Sequence, residues 1–223
     1  EIYIYNVESA ETSVIDMKGG YDTDPVWSPD GSKICWISME RDGYEADKQR
    51  LMVASVQYGD GPMPAVTDIR DITADFRYNA SGPVWSEDSQ SIYFASLAEG
   101  LQGIFEAVSD GEVWKIERLT GEDMWYDFGS PFYIKSDEDG STTLLTTWCS
   151  MDFPTEMVAV KFIPGEQRTA SGKSALKAEG PVAEGEVTYT QITHENDHIL
   201  SQLAEHDTEA RWMETGDGKQ MLT

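Results

Sequence analysis

The chain has 223 residues, 39% hydrophobic and 11% aromatic, which is enough for a sizeable core and too apolar for a disordered segment. Its 41 acidic residues against 16 basic ones leave a net charge of −25, a surface that repels nucleic acid and anionic membranes. No apolar run approaches the roughly 20 residues that a membrane-spanning helix needs.

The chain opens on alternation, Ile2-Tyr3-Ile4-Tyr5, which predicts strands over 2–8 and 12–17. Pro25-Val26-Trp27-Ser28-Pro29-Asp30-Gly31 follows, then the apolar run Ile34-Cys35-Trp36-Ile37. The pattern returns as Pro83-Val84-Trp85-Ser86-Glu87-Asp88-Ser89 before Ile92-Tyr93-Phe94-Ala95. A weaker copy starts at Ser130-Pro131-Phe132-Tyr133 and runs through Asp139-Gly140 to Leu144-Leu145. The prolines stand 58 residues (25 to 83) and then 48 residues (83 to 131) apart. A period near fifty residues is the mark of a propeller or solenoid.

Strands then fall in fours. The first full blade is predicted over 25–28, 33–38, 51–57 and 66–73, and the second over 83–86, 91–96, 103–109 and 113–119. The third is predicted over 130–135, 142–148, 156–163 and 187–193. Residues 2–8 and 12–17 make half a blade before them. The expected fold is all-β, a partial propeller of three complete four-stranded antiparallel blades and one half blade. Closed propellers carry about four to eight blades, so this is an arc. Recurring Asp-Gly pairs, including Asp30-Gly31, Asp139-Gly140 and Asp217-Gly218, mark the turns, because Asp tolerates and Gly favours left-handed backbone.

Within each repeat, Trp27 and Trp85 are expected to fill the space between blades, with Phe132 in the equivalent place of the third copy. Asp30, Gly31 and Asp88 belong to the turn into the second strand, and Pro131 is the matching repeat residue of the third copy. Two loops stand out. Met39 to Arg50 is charged, and Pro164 to Glu186 has no apolar period and is expected to be mobile. Cys35 and Cys149 lie in apolar strand-like runs of different blades and are read as small buried hydrophobes, not a disulfide.

The connectors before each repeat combine aromatics with carboxylates. Tyr21, Asp24, Tyr78, Trp125, Tyr126 and Asp127 are the candidate residues for a peptide with its amino terminus, or for a neighbouring domain. No catalytic, cofactor-binding or metal-binding residue is assigned, and no cofactor is expected. His194-Glu195-Asn196-Asp197-His198 fits the HExxH spelling of zinc peptidases, with Glu205 and His206 as further donors. That chemistry needs both imidazoles on one helix face, whereas the Asn-Asp centre favours a turn. Gly172-Lys173-Ser174 lacks the glycine of a phosphate loop, since Arg168 stands there. Asn79-Ala80-Ser81 is a sequon of the kind that arises by chance. All three histidines fall between 194 and 206, and no Gly-x-Ser-x-Gly elbow exists, so no hydrolytic triad can be assembled.

The propeller pattern ends after Thr193, so 1–204 is expected to be the propeller fragment. Residues 205–223 are expected to be a linker and the first strands of a further domain. Glu1 without a Met, and an end inside the apolar pattern Met221-Leu222-Thr223, suggest a piece of a longer protein.

The repeats resemble the PD-type propeller repeats of TolB-like proteins and of the prolyl-oligopeptidase family. The segment from Glu209-Ala210-Arg211-Trp212-Met213 through Asp217-Gly218 to Met221-Leu222 resembles the strand pair by which that family crosses from propeller to α/β-hydrolase. The resemblance runs to the bacterial dipeptidyl aminopeptidase and acylaminoacyl peptidase branch. It implies a serine peptidase whose propeller limits access to peptides, with Ser, Asp and His in a hydrolase domain outside this chain. The acidic helix of dipeptidyl peptidase IV has no match here. The implied partners are the protein's own hydrolase domain and a peptide substrate, with no nucleic acid and no membrane. Open blade edges imply self-association. A periplasmic or secreted parent is implied. The alternative is a TolB-like periplasmic propeller that binds proteins, and a parent without a downstream Gly-x-Ser-x-Gly would favour it.

Overall fold

The computed structural model describes residues 1–15, 19–111, 113–120, 126–164, 185–203 and 211–222. β1 (Ile2–Tyr5) and β2 (Thr12–Ile15) form a hairpin, the half blade. Blade one follows as β3 (Tyr21–Trp27), β4 (Lys33–Met39), β5 (Arg50–Gln57) and β6 (Ala65–Asp71), paired in chain order. Blade two repeats this with β7 (Ser81–Trp85), β8 (Ser91–Ala98), β9 (Leu101–Ser109) and β10 (Trp114–Arg118). Blade three contains β11 (Asp127–Phe128), β12 (Tyr133–Ser136), β13 (Thr142–Cys149), β14 (Glu156–Pro164) and β15 (Gly185–Gln191). One turn of helix, α1 (Asp197–Leu200), and a hairpin of β16 (Trp212–Glu214) and β17 (Gln220–Leu222) complete the described chain. The fold is a partial β-propeller.

Period-2 geometry explains how the sheets stack. Successive side chains point to opposite faces, so a strand between two neighbouring sheets must be apolar on both. β4 does this: Ile34 and Trp36 pack with Ile2, Ile4 and Ile15 of the half blade, while Cys35 and Ile37 join Phe94, Phe105 and Trp85 of blade two. β8 repeats it, with Ile92 and Phe94 facing blade one and Tyr93 facing Leu144 and Val158 of blade three. Three cores therefore lie between four sheets.

Each turn from first to second strand is closed by the same side-chain chemistry. Ser28 Oγ and the Ser32 amide both donate to Asp30 Oδ1, at 2.7 and 2.9 Å. Ser86 Oγ and the Gln90 amide do the same with Asp88, at 2.6 and 3.0 Å. These donors hold the Asp30 carboxyl well below the usual carboxylate range, the Ser32 amide contributing most. Adjacent turns are tied together: the Asp30 amide donates to Ser89 Oγ at 3.2 Å, and Lys33 Nζ donates to Ser89 O at 3.0 Å.

Four expectations need correction. Trp85 is only 4% exposed and its Nε1–H donates to Val26 O at 3.1 Å, but Trp27 is 40% exposed. Trp27 pairs with Ile34 and so faces the half blade, whose two strands offer no inner strand to cover it. Phe132 is also exposed, and Ile134 takes the buried position of the third copy. The first strand of blade three is broken into β11 and β12, both paired with β13. Pro131 at the break has no N–H to donate, and Gly129 runs so close to β13 that a Cβ would lie 2.4 Å from Thr147 Oγ1. Both cysteines are free, but only Cys35 is buried; Cys149 lies half-buried on the outer side of the last blade. Most of the predicted loop from Pro164 to Glu186, residues 165–184 with Arg168 and Gly172-Lys173-Ser174, lies outside the described residues, as do 204–210.

Candidate functional site

A four-stranded meander sends its connectors to alternate ends. The turns at Asp30 and Asp88 lie at one end. The joints between blades lie at the other, together with the loops from second to third strands. Hydrogen bonds confirm this grouping. The Gly20 amide donates to Asp42 Oδ1 at 3.0 Å, the Gln49 amide to Asn79 Oδ1 at 3.0 Å, and the Gln102 amide to Asp127 Oδ1 at 2.7 Å. This connector face carries the candidate residues.

Tyr21 and Asp24 belong to β3, the innermost strand of blade one, which starts four residues before the predicted strand. Both are exposed. Asp24 has a φ of +53° in a bulge between Thr23 and Val26. Its counterpart one blade later is Gly82, φ +54°, also before proline and also in a bulge. Left-handed backbone is strained for a non-glycine residue, so Asp24 holds its exposed carboxylate at a costly position. Asp22 beside it has a buried Oδ1 with no hydrogen-bond partner.

Tyr78 is half-buried in the interface of blades one and two. Its ring meets Phe76 edge-on at 5.7 Å, and the Arg77 guanidinium lies 5.8 Å from its centroid. Tyr126 and Asp127 belong to the interface of blades two and three. Tyr126 stacks on Trp148 at 4.4 Å, and Asp127 fastens β11 to Gln102, whose Nε2 also donates to Phe128 O at 2.8 Å. Trp125 lies outside the described residues. The five described candidates thus share one face but fall at three places on it.

Sequence reasoning passed over two groups. Trp148, Phe153 and Tyr189 surround Tyr126 and Phe128 as an aromatic cluster at the joint of blades two and three. Glu156 begins β14 on the inward face, in step with Val158, Val160 and Phe162. Alternation within the predicted strand 156–163 already placed that carboxylate inside.

In the 194–198 segment, His194 precedes α1, so the two imidazoles are not on one helix. His194 Nδ1 lies 2.8 Å from Asp197 Oδ2. Glu205 and His206 lie outside the described residues. Among the described residues, no group of three or more His, Cys, Asp or Glu side chains is placed to hold a metal ion.

No family model matches the chain. Dipeptidyl-peptidase 5 of Porphyromonas gingivalis is 32% identical over 225 residues, covering all of this chain and 27% of that protein. Dipeptidyl-peptidase 5 of Porphyromonas endodontalis is 33% identical over 223 residues, again all of this chain and 26% of that protein. An uncharacterized peptidase of Bacillus subtilis, YuxL, is 37% identical over 112 residues, half of this chain and 14% of its own length. Among solved structures, a Mycobacterium tuberculosis puromycin-hydrolyzing peptidase superposes with a TM-score of 0.45 at 14% identity, over 97% of this chain and 35% of its own. The chain spans about a quarter of the length of the two dipeptidyl-peptidase relatives.

Proposed function

We infer that this chain, a homologue of a segment of dipeptidyl-peptidase 5 as its resemblance to the prolyl-oligopeptidase family anticipated, serves as the non-catalytic propeller part of a serine peptidase. The single observation carrying this is the match along the entire chain to a quarter of a peptidase. In this reading, the propeller gates access and selects short peptides for a hydrolase domain elsewhere in the parent, of the dipeptidyl or acyl-aminoacyl type. The exposed hairpin β16–β17 supports a crossing into that domain. A two-stranded hairpin is marginal by itself, and Trp212, Met213 and Met221 on it are exposed. Residues 1–204 would then be propeller and the remainder the crossing. The exposed Tyr21 and Asp24 support a role facing peptide or hydrolase.

The test is hydrolysis of dipeptidyl and acyl-aminoacyl chromogenic substrates by this chain and by the full-length protein. Activity sensitive to serine-reactive inhibitors is expected only from the latter. The same activity from this chain alone would refute the division of labour. The outer face of the half blade carries exposed Tyr3, Tyr5 and Val14, which supports self-association of the isolated chain. Light scattering is expected to show oligomers at high concentration, and a clean monomer would refute this.

A further inference from the structure

Glu156 is 3% exposed. Its carboxylate accepts hydrogen bonds from the Thr193 hydroxyl, the Asn196 amide at 3.1 Å and Asn196 Nδ2 at 2.9 Å. Those donors pull the Glu156 carboxyl below its usual range, the Thr193 hydroxyl contributing most. Thr193 Oγ1 in turn accepts the Met157 amide at 2.8 Å, and the Ile192 amide donates to Met157 O at 2.8 Å. All the side-chain donors to the carboxylate come from the segment through which the chain leaves blade three.

Apolar burial does not hold that segment. No side chain of α1 is buried, and Ile192, Ile199 and Leu203 are exposed. Its attachment to the blade is therefore polar. Lifting the segment away would break all of these hydrogen bonds at once, and bonds to a charged acceptor are worth more than bonds between neutral groups. Among the described residues, the segment's other side-chain hydrogen bonds, such as Gln191 Nε2 to Thr193 O at 2.7 Å, His194 to Asp197 and Gln202 Nε2 to His198 O at 2.6 Å, lie within it or at its start and do not reach β14.

We propose that Glu156 is a positioning residue, a latch that fixes the direction in which residues 192–203 leave the last blade. It is a property of this chain and stands apart from the peptidase reading.

The test is residue-resolved hydrogen exchange on this chain, comparing the parent sequence with Glu156→Ala, Glu156→Gln and Thr193→Val. In Glu156→Ala, the amides of Asn196, Ile199, Leu200 and Leu203 are expected to exchange at least tenfold faster, with those of Trp36 and Phe94 unchanged. Glu156→Gln keeps an acceptor oxygen and is expected to restore most of the protection. Thr193→Val keeps the carboxylate and removes one donor, so an intermediate loss is expected, and it serves where Glu156→Ala fails to fold. The latch is overturned if these amides keep their protection in Glu156→Ala or Thr193→Val. It is equally overturned if protection falls uniformly through β13 and β14, the sign of general destabilisation.

Discussion

The joint between blades one and two and the chain from residue 192 onward use the same strand and turn chemistry but differ in what covers them. At the joint, Phe94 and Phe105 stack at 5.8 Å, Phe76 meets both edge-on, and Trp85 closes the space with its indole bonded to the neighbouring blade. In the tail, Thr215, Asp217 and Lys219 rebuild the Ser-Asp turn of the blades. The Thr215 hydroxyl donates to Asp217, and the Gly218 amide donates to Thr215 O at 2.8 Å. Yet β16 has no buried side chain. Local turn chemistry therefore makes a hairpin wherever it occurs, while stability comes from a second sheet laid against it.

The largest test of this contrast is truncation. Phe94→Ala removes a fully buried ring and is expected to cost about 3–5 kcal/mol in chemical denaturation. Met213→Ala in the tail hairpin is expected to leave the same transition unmoved. A loss below about 1 kcal/mol for Phe94→Ala would mean the blade interface is not the cohesive unit.

Close backbone approach gives the next effect. A Cβ on Gly82 would lie 2.3 Å from Ser130 Oγ, and its φ of +54° strains any other residue. Gly82→Ala is expected to lose about 1–3 kcal/mol. Adding Ser130→Gly should recover the steric part and leave the backbone part, which a double-mutant cycle separates. Gly216→Ala in the tail meets nothing within 4 Å, and no change is expected. If Ser130→Gly recovers nothing, inner strands of adjacent blades do not touch there.

Burial also predicts a pH response. Desolvation pushes the Cys35 thiol up to about 12, against about 8.5 for a thiol in an unfolded chain. The folded state keeps the proton that the unfolded state releases. Stability should thus be unaffected below about pH 8.5 and decline between there and pH 12, by at most about 1.4 kcal/mol per pH unit. Cys35→Ala is expected to remove that slope, measured by denaturation at pH 8, 9 and 10. An unchanged slope would show that the interior around Cys35 is open to water.

Much of the fold was legible because inner propeller strands are apolar on both faces and recur. Continuous apolar runs marked β4, β5 and β8, alternation marked β13, and the fifty-residue repeat placed the blades. Trp27 failed for a reason the repeat cannot express: its neighbours belong to the preceding blade, and only two strands of that blade are present. Phe132 failed because Pro131 stands six residues before the turn residue Asp137, whereas Pro25 and Pro83 stand three before Ser28 and Ser86, so counting from the proline misses the buried position. The Asp137 amide bonds Ser141 O there, where the Ser28 amide reaches Lys33 O. The candidate face was legible only as a face. Aromatic and acidic composition marked the connectors, but it could not tell the exposed Asp24 from Tyr126, which is spent on stacking against Trp148. Glu156 was readable by alternation, but its partners lie at Thr193 and Asn196, across a strand-to-turn contact that spacing does not encode.

The smallest effect isolates the turn from its surroundings. Asp30 accepts from Ser28 Oγ, the Ser32 amide and Ser32 Oγ, and its own amide bonds Ser89 of the next blade. Asp30→Ala should lose about 1 kcal/mol, the net worth of hydrogen bonds at a solvent-facing turn. Because the folded carboxyl lies below its unfolded value, that contribution is present above about pH 4 and fades as pH falls through the folded value. The wild type and Asp30→Ala should therefore converge in acid. Asp217 has the same kind of partners, Thr215 and Lys219, which likewise lower its carboxyl. Asp217→Ala should nevertheless leave global unfolding unchanged at every pH, because no described side chain of its hairpin is buried. Its loss should show only as faster exchange of the Gly218 and Thr215 amides. A global effect of Asp217→Ala equal to that of Asp30→Ala would mean the tail hairpin is built into the core, and the contrast between joint and tail would fall.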